Sequence, residues 1–214
     1  MNSTVSAPGP GEAAGAGRAA WGTISREQVI EMATRVVVER GFQRLTIRRL
    51  AAELGVAPMS LYRHVHSKDD LLNEVVDRML AHAREPTQSA GEDWQAWIIE
   101  AADKLRQFLI EQPAALHIYL SHPVVSPSAI ARMETVMAVL RAGLGDEQRA
   151  QQAYAAIHTY TIGFAALEAS RAASAGPNDL TPTPLATQLA SYTSAEQFTT
   201  GLNYLLLGFA DQSH

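Results

Sequence analysis

The stretch T-I-R-R-L-A-A-E-L-G-V-A-P-M-S-L-Y-R-H-V-H-S-K, Thr46 to Lys68, decides how this chain of 214 residues is read. Thr46 is a capping residue type: its hydroxyl oxygen accepts one of the backbone N–H groups that a helix start leaves without a partner. A short helix is expected from Ile47 to Leu54, stopped by Gly55, because glycine takes the left-handed conformation that ends helices. Val56 opens a tight turn. Pro58 suits the first position of the next helix, where its missing N–H costs nothing, and that helix is expected to reach about His64. Two short helices joined by a glycine-containing turn form a helix-turn-helix unit. Ala51, Leu54, Val56, Leu61 and Val65 are spaced as its internal core, and Ala51 and Ala52 are small enough to let the helices cross closely.

That arrangement leaves Pro58, Met59, Ser60, Tyr62, Arg63 and His64 projecting outward. A surface of this kind enters the major groove of duplex DNA, which is about 12 Å wide. Arg63 can read guanine or hold a phosphate, Ser60 and Tyr62 can bond phosphate oxygens, and Pro58 and Met59 offer apolar contact to a thymine methyl. Thr46 and Arg48 start the second helix, and Lys68 starts the fourth, where N–H groups and the helix dipole favour phosphate.

Charge supports this assignment. The whole chain carries a formal −5, yet residues 40 to 68 hold Arg40, Arg44, Arg48, Arg49, Arg63 and Lys68 against Glu53 alone, a net of +5. Residues 83 to 214 hold seven basic and thirteen acidic residues, a net of −6. A basic segment on an acidic body is the footprint of local phosphate contact.

Outward from the motif, the hydrophobic periodicity is helical nearly throughout. A first helix is expected from Ser25 to Arg40, with Ser25 and Gln28 as a capping box and Val29, Ile30, Ala33, Val36 and Val37 on one stripe. Ser67 caps a fourth helix bearing Leu71, Leu72, Val75, Val76, Met79 and Leu80. Further helices are expected at about Trp94–Gln112, Ala114–Leu120, Ser128–Gly143, Asp146–Ala175 and Ser194–Phe209, with loops at Glu85–Gly91 and Gly176–Pro184. No alternating run reads as a strand, so the fold class is all-α. Three parts are expected: a disordered arm over 1–22, a helix-turn-helix domain over 23–84, and an effector-binding and dimerisation domain over 85–214.

The run Leu45 to Leu72, with its capped helix, L-Y-R-H-V and K-D-D-L-L, resembles the DNA-binding region of TetR-family repressors, nearest in pattern to the tetracycline-repressor branch. The resemblance covers about residues 25 to 80. It implies a homodimer that binds palindromic duplex DNA and a helical core that binds a small-molecule effector. It implies operator contacts from Arg48, Pro58, Met59, Ser60, Tyr62, Arg63, His64 and Lys68. Tyr62, His64 and Lys68 match the tetracycline repressor in residue type, whereas Arg63 and Met59 depart from it. The ligands that would hold a tetracycline–magnesium complex do not occur in order, so that drug is not implied.

The long Asp146–Ala175 segment is rich in small residues: Ala153, Ala155, Ala156, Gly163, Ala165, Ala166 and Ala169. With the last helix, which bears Phe198, Leu202, Leu205, Leu206 and Phe209, it is expected to form half of a four-helix dimer bundle. The effector pocket is expected among Trp97, Phe108, Met133, Met137, Tyr154 and His158, with Tyr160 and Phe164 nearby, because ligand cavities mix aromatic and methionine side chains with polar tips. Each of these could equally be plain core, as such stripes usually are. A DNA-binding protein without any effector is the alternative.

Other classes find no support. With no cysteine there is no disulfide or thiolate chemistry. The chain has no G-x-S-x-G, P-loop or H-E-x-x-H motif, so it is not expected to be an enzyme or to hold a cofactor. His117 with His122, and His64 with His66, lack carboxylates at metal-ligand spacing. No apolar run approaches the roughly 18 residues of a membrane span, and residues 1 to 20 lack a signal-peptide core, so a cytoplasmic location without membrane contact is expected.

Overall fold

Ser25 caps the first helix. Its Oγ accepts from the Gln28 N–H at 3.2 Å while Gln28 Oε1 accepts from the Ser25 N–H at 2.9 Å. The computed structural model describes residues 24–81, 86, 93–174 and 191–211; the N-terminal arm over 1–22 and the Gly176–Pro184 loop lie outside the described residues. Every described element is helical: α1 Arg26–Arg40, a 3-10 turn Phe42–Arg44, α2 Ile47–Glu53, α3 Pro58–Leu61, α4 Lys68–Leu80, α5 Trp94–Glu111, α6 Pro113–Ser121, α7 Pro127–Leu144, α8 Glu147–Ser174 and α9 Ala195–Ala210. The class is therefore all-α, as the periodicity predicts.

The short helices form for local reasons. Thr46 Oγ1 accepts the Arg49 N–H at 3.1 Å and starts α2. Gly55 sits at φ +66°, a conformation L side chains rarely adopt, and this allows the chain to reverse between α2 and α3. Ser67 Oγ accepts the Asp70 N–H at 3.0 Å and starts α4. The third helix is shorter than expected. It ends at Leu61, and the N–H groups of His64 and Val65 both return to the Leu61 carbonyl, at 2.8 and 3.0 Å. The chain tightens there because Val65, fully buried, must turn inward beside Leu61. Of the two alanines, only Ala51 faces the crossing; Ala52 is exposed.

Two apolar clusters hold the described residues together. One joins α1, α2, α3 and α4 to α5, α6 and α8 without a break, through residues such as Val37, Leu61, Leu72, Val76, Leu109, Ile118 and Ala165. Phe42 lies against His117 with ring centres 6.4 Å apart, linking the 3-10 turn to α6. The other cluster packs α5, α7 and α9 around α8 and includes Ile98, Leu140, Ile157, Phe198 and Leu202. The α7 helix runs past Gly143, where the sequence suggested a break. The Trp94 ring occupies the place of a side chain there: a Cβ on Gly143 would lie 2.3 Å from Trp94 Cδ2. The left-handed stop comes at Gly145 instead.

Candidate functional site

The surface expected to read DNA is built around the single turn of α3. Leu61 points inward, and Met59 and Tyr62 are 74% and 47% exposed. Pro58 and Arg63 are also exposed, while Ser60 and His64 are half-buried. Thr46, Arg48 and Lys68 are exposed at the starts of α2 and α4, although the Thr46 hydroxyl is engaged in capping. Glu53, the one acid of the segment, is held by Arg40 at 2.6 Å, with Arg49 at 4.0 Å. Arg44, Arg48, Arg63 and Lys68 have no ion-pair partner among the described residues, so their charge is available to an external anion. Behind the turn, Arg26 donates to both oxygens of Glu74 at 3.0 and 2.6 Å and to the His64 carbonyl at 3.4 Å. Hydrogen bonding to Glu74 holds the Arg26 guanidinium above its ordinary pKa. This clamp ties α1, α4 and the end of the reading turn together.

A second site lies between α5, α6, α7 and α8: a cavity of about 460 Å³. Of the six expected pocket residues, Trp97, Met133, Tyr154 and His158 line it. Phe108 and Met137 do not. Phe108 belongs to the apolar cluster that α5 shares with α4 and α6, and Met137 to the cluster around α8. Tyr160 and Phe164 pack on Phe198 instead, with ring centres 5.5 and 5.1 Å away.

Tyr119, Arg132 and Thr161 also line the cavity and had no signal of their own in the sequence. Tyr154 stacks on His158 at 5.3 Å with planes 14° apart, and Tyr119 lies 6.3 Å from His158. Burial lowers the His158 pKa, so the ring is neutral near pH 7. Burial pushes the Tyr119 phenol up to about 12 against the opposing pull of Arg132.

The two sites meet on α4. Asn73 Oδ1 accepts the Val125 N–H at 3.0 Å, and Asp77 Oδ1 accepts the Ser128 N–H at 2.7 Å. Val124 and Ala129, next in sequence to these donors, line the cavity. His122 Nδ1 lies 3.8 Å from Asp69, one turn of α4 before Asn73. Sequence reasoning missed this polar stripe because it read α4 only for its apolar face. Among the described residues no cluster of three or more His, Cys, Asp or Glu is placed to hold a metal ion, and no helix is long and apolar enough to cross a membrane.

A capped helix-turn-helix on an acidic helical body that encloses a cavity defines a class of all-α helix-turn-helix proteins. The chain belongs to the TetR family. Residues 29–75 match the family model "Bacterial regulatory proteins, tetR family", and residues 85–212 match the "Tetracyclin repressor-like, C-terminal domain". It is 33% identical over 144 residues, 67% of its length, to the HTH-type transcriptional repressor DrrR1 of Streptomyces coeruleorubidus, and it spans about half (53%) of that relative. Among solved structures, BioQ from Mycobacterium smegmatis is 27% identical with a TM-score of 0.70, covering 89% of this chain and all of BioQ. BioQ bound to its double-stranded DNA operator has a TM-score of 0.64 at 26% identity, covering 88% of this chain and 99% of that one. ActR from Streptomyces coelicolor in complex with (S)-DNPA has a TM-score of 0.70 over 89% of this chain and 99% of its own, and at 23% identity it shows the shared fold alone.

Proposed function

We propose that the protein is a dimeric repressor that binds palindromic duplex DNA and releases it when a small molecule occupies the cavity. The observation that carries this is the pair of hydrogen bonds from the cavity wall to α4, at Asn73 and Asp77. A ligand that displaces the start of α7 pulls directly on α4, and α4 is clamped through Glu74 and Arg26 to the reading turn. Swinging α4 in both protomers changes the spacing of the two reading turns, a two-state element that both sites bias. The apolar residues of α9 divide between the chain's own core and its surface. Phe198, Leu202 and Leu206 are buried within the chain, and Leu205 and Phe209 pack against that core. Leu167 on α8, with Tyr204 and Leu207 on α9, stays exposed and supplies the apolar contact for a partner.

Purified full-length protein is expected to shift a palindromic fragment from upstream of its own or a neighbouring gene at low salt. Failure to bind any fragment from its own locus overturns the proposal. Arg63→Ala should relax base preference at one position, costing about 1–3 kcal/mol there, while Lys68→Ala should weaken all sequences alike and lower the salt slope by about 1.

Asp77→Ala tests the coupling. Without ligand its DNA affinity should stay within a few-fold of the parent. A compound that still raises its thermal stability should no longer release DNA. Release that persists in the double variant Asn73→Ala/Asp77→Ala would show that the signal travels elsewhere. A DNA-binding protein without an effector differs at the first step, since no compound would stabilise it.

A further inference from the structure

We infer that Met59 is a reversible oxidation site: a peroxide converts its thioether to the sulfoxide, and the modified reading turn loses its hold on DNA. This rests on the DNA-binding reading above and adds a second input to it, one that acts on the reading turn without passing through the cavity.

Exposure singles the residue out. Met59 is 74% exposed and belongs to neither apolar cluster. The other described methionines are engaged elsewhere. Met79 and Met137 are buried, Met32 packs against the first cluster, and Met133 lies on the cavity wall. The chain has no cysteine, so no thiolate of its own competes for an oxidant. A dissolved peroxide therefore meets the Met59 sulfur before the buried ones.

The fold does not need that sulfur to stay apolar. Leu61 is the side chain that α3 buries, and Met59 stands two residues before it on the exposed side. A polar group at Met59 remains in water, and the packing beneath the turn is untouched. Oxidation here changes the surface and leaves the platform standing.

The step balances simply. A lone pair of the thioether attacks one oxygen of hydrogen peroxide. The S–O bond forms as the O–O bond breaks, and the proton on the transferred oxygen passes to the departing hydroxide, giving water. The sulfur gives up two electrons and the peroxide takes them. Sulfoxide reductases reverse the change, one enzyme for each epimer. Two thiols become a disulfide, and the oxygen leaves as water.

The consequence lies in what this turn is expected to touch. Met59 is apolar contact for a thymine methyl, and a sulfoxide is a polar group that loses water when pressed against one. Its oxygen only accepts hydrogen bonds. Guanine N7 and O6 and thymine O4 on the groove edge are acceptors too, so they give it no partner.

The test treats full-length protein with hydrogen peroxide, free and bound to a palindromic fragment from its own locus, and maps the methionines by peptide mass spectrometry over time. In the free protein Met59 should gain an oxygen at least about tenfold faster than Met79 or Met137, and bound DNA should slow it. Once Met59 is converted, a gel shift should show affinity lower by at least about fivefold, with circular dichroism unchanged, and reductase treatment should restore it. Each variant is compared with its own untreated sample. Met59→Leu should keep after treatment the affinity it had before. Met59→Gln, a polar tip of similar length made without oxidant, should bind more weakly than Met59→Leu. Several results overturn the inference: Met59 oxidised no faster than the buried methionines, no protection by DNA, full conversion without loss of affinity, the same loss in Met59→Leu, or equal binding by the two variants. Untreated protein that binds no fragment sinks the DNA-binding reading and this inference with it. Untreated protein that binds, and binds equally well once oxidised, sinks this inference alone.

Discussion

Leu61→Ala is expected to lower unfolding stability by about 3 kcal/mol and to cut DNA affinity at least tenfold while leaving ligand binding as it was. The α3 helix has four residues, and Leu61 is the one it buries, with 0% exposure. A helix this short has no stability of its own, since isolated helices below roughly 12–15 residues are marginal in water. It exists because Leu61 is packed beneath it and because the Leu61 carbonyl gathers the His64 and Val65 N–H groups. Removing three carbons there leaves a cavity under the platform that carries Met59, Tyr62 and Arg63. Met59→Ala is the internal comparison. Met59 is 74% exposed on the same turn, so its loss should change stability by less than about 0.5 kcal/mol. Urea denaturation reads the first quantity and a gel shift the second. Equal stability for the two variants would mean that α3 is held by something other than its buried leucine.

Arg106→Ala is the second large effect, again about 3 kcal/mol or more. The Arg106 side chain is 6% exposed. Its Nε donates to Asp103 at 2.8 Å, its Nη1 to Glu168 at 2.6 Å, and the guanidinium lies 5.1 Å from the centre of the Phe198 ring. One cation thus joins α5, α8 and α9. Truncation leaves two partly buried carboxylates without a counter-charge and uncovers a face of Phe198. Arg106→Lys should fall between parent and alanine, because an ammonium keeps the charge and loses the planar fork. The exposed pair Arg141–Glu147 has a similar N–O distance, 2.5 Å, yet Arg141→Ala should leave Tm unchanged, since water already solvates both groups. Thermal melts of these variants decide the matter. An Arg106→Ala protein that melts with the parent would show that the triad adds nothing to stability.

The sequence made local chemistry legible. Ser25, Thr46, Ser67 and Ser194 each cap the helix expected of them, because a cap is a hydrogen bond between residues three apart. The buried stripe of α4 was also plain, since Leu71, Leu72, Val75, Val76, Met79 and Leu80 repeat with the helical period. What stayed hidden depends on distant partners. Asn73 and Asp77 look like solvated helix residues until the chain 52 and 51 positions away is folded onto them. Gly143 looked like a breaker because Trp94, which fills its space, is 49 positions earlier. The cavity divides residues of identical pattern: Met133 lines it while Met137, one turn further along α7, packs into the core. Periodicity places a residue on a face, but whether that face meets a void or a neighbour is decided by the helix opposite.

The unbroken apolar cluster from α1 to α8 limits how such a molecule can be recombined. A chimera cut in the connection near residue 85 would transplant the reading half with the α6-facing side of α4, and Phe42 beside it, stripped of cover. A foreign sensor would have to restore that seam, including acceptor-matched N–H groups opposite Asn73 and Asp77. The unit that can be exchanged intact is therefore larger than the helix-turn-helix. New specificities are easier to reach by changing the few exposed side chains of α3 than by trading whole modules.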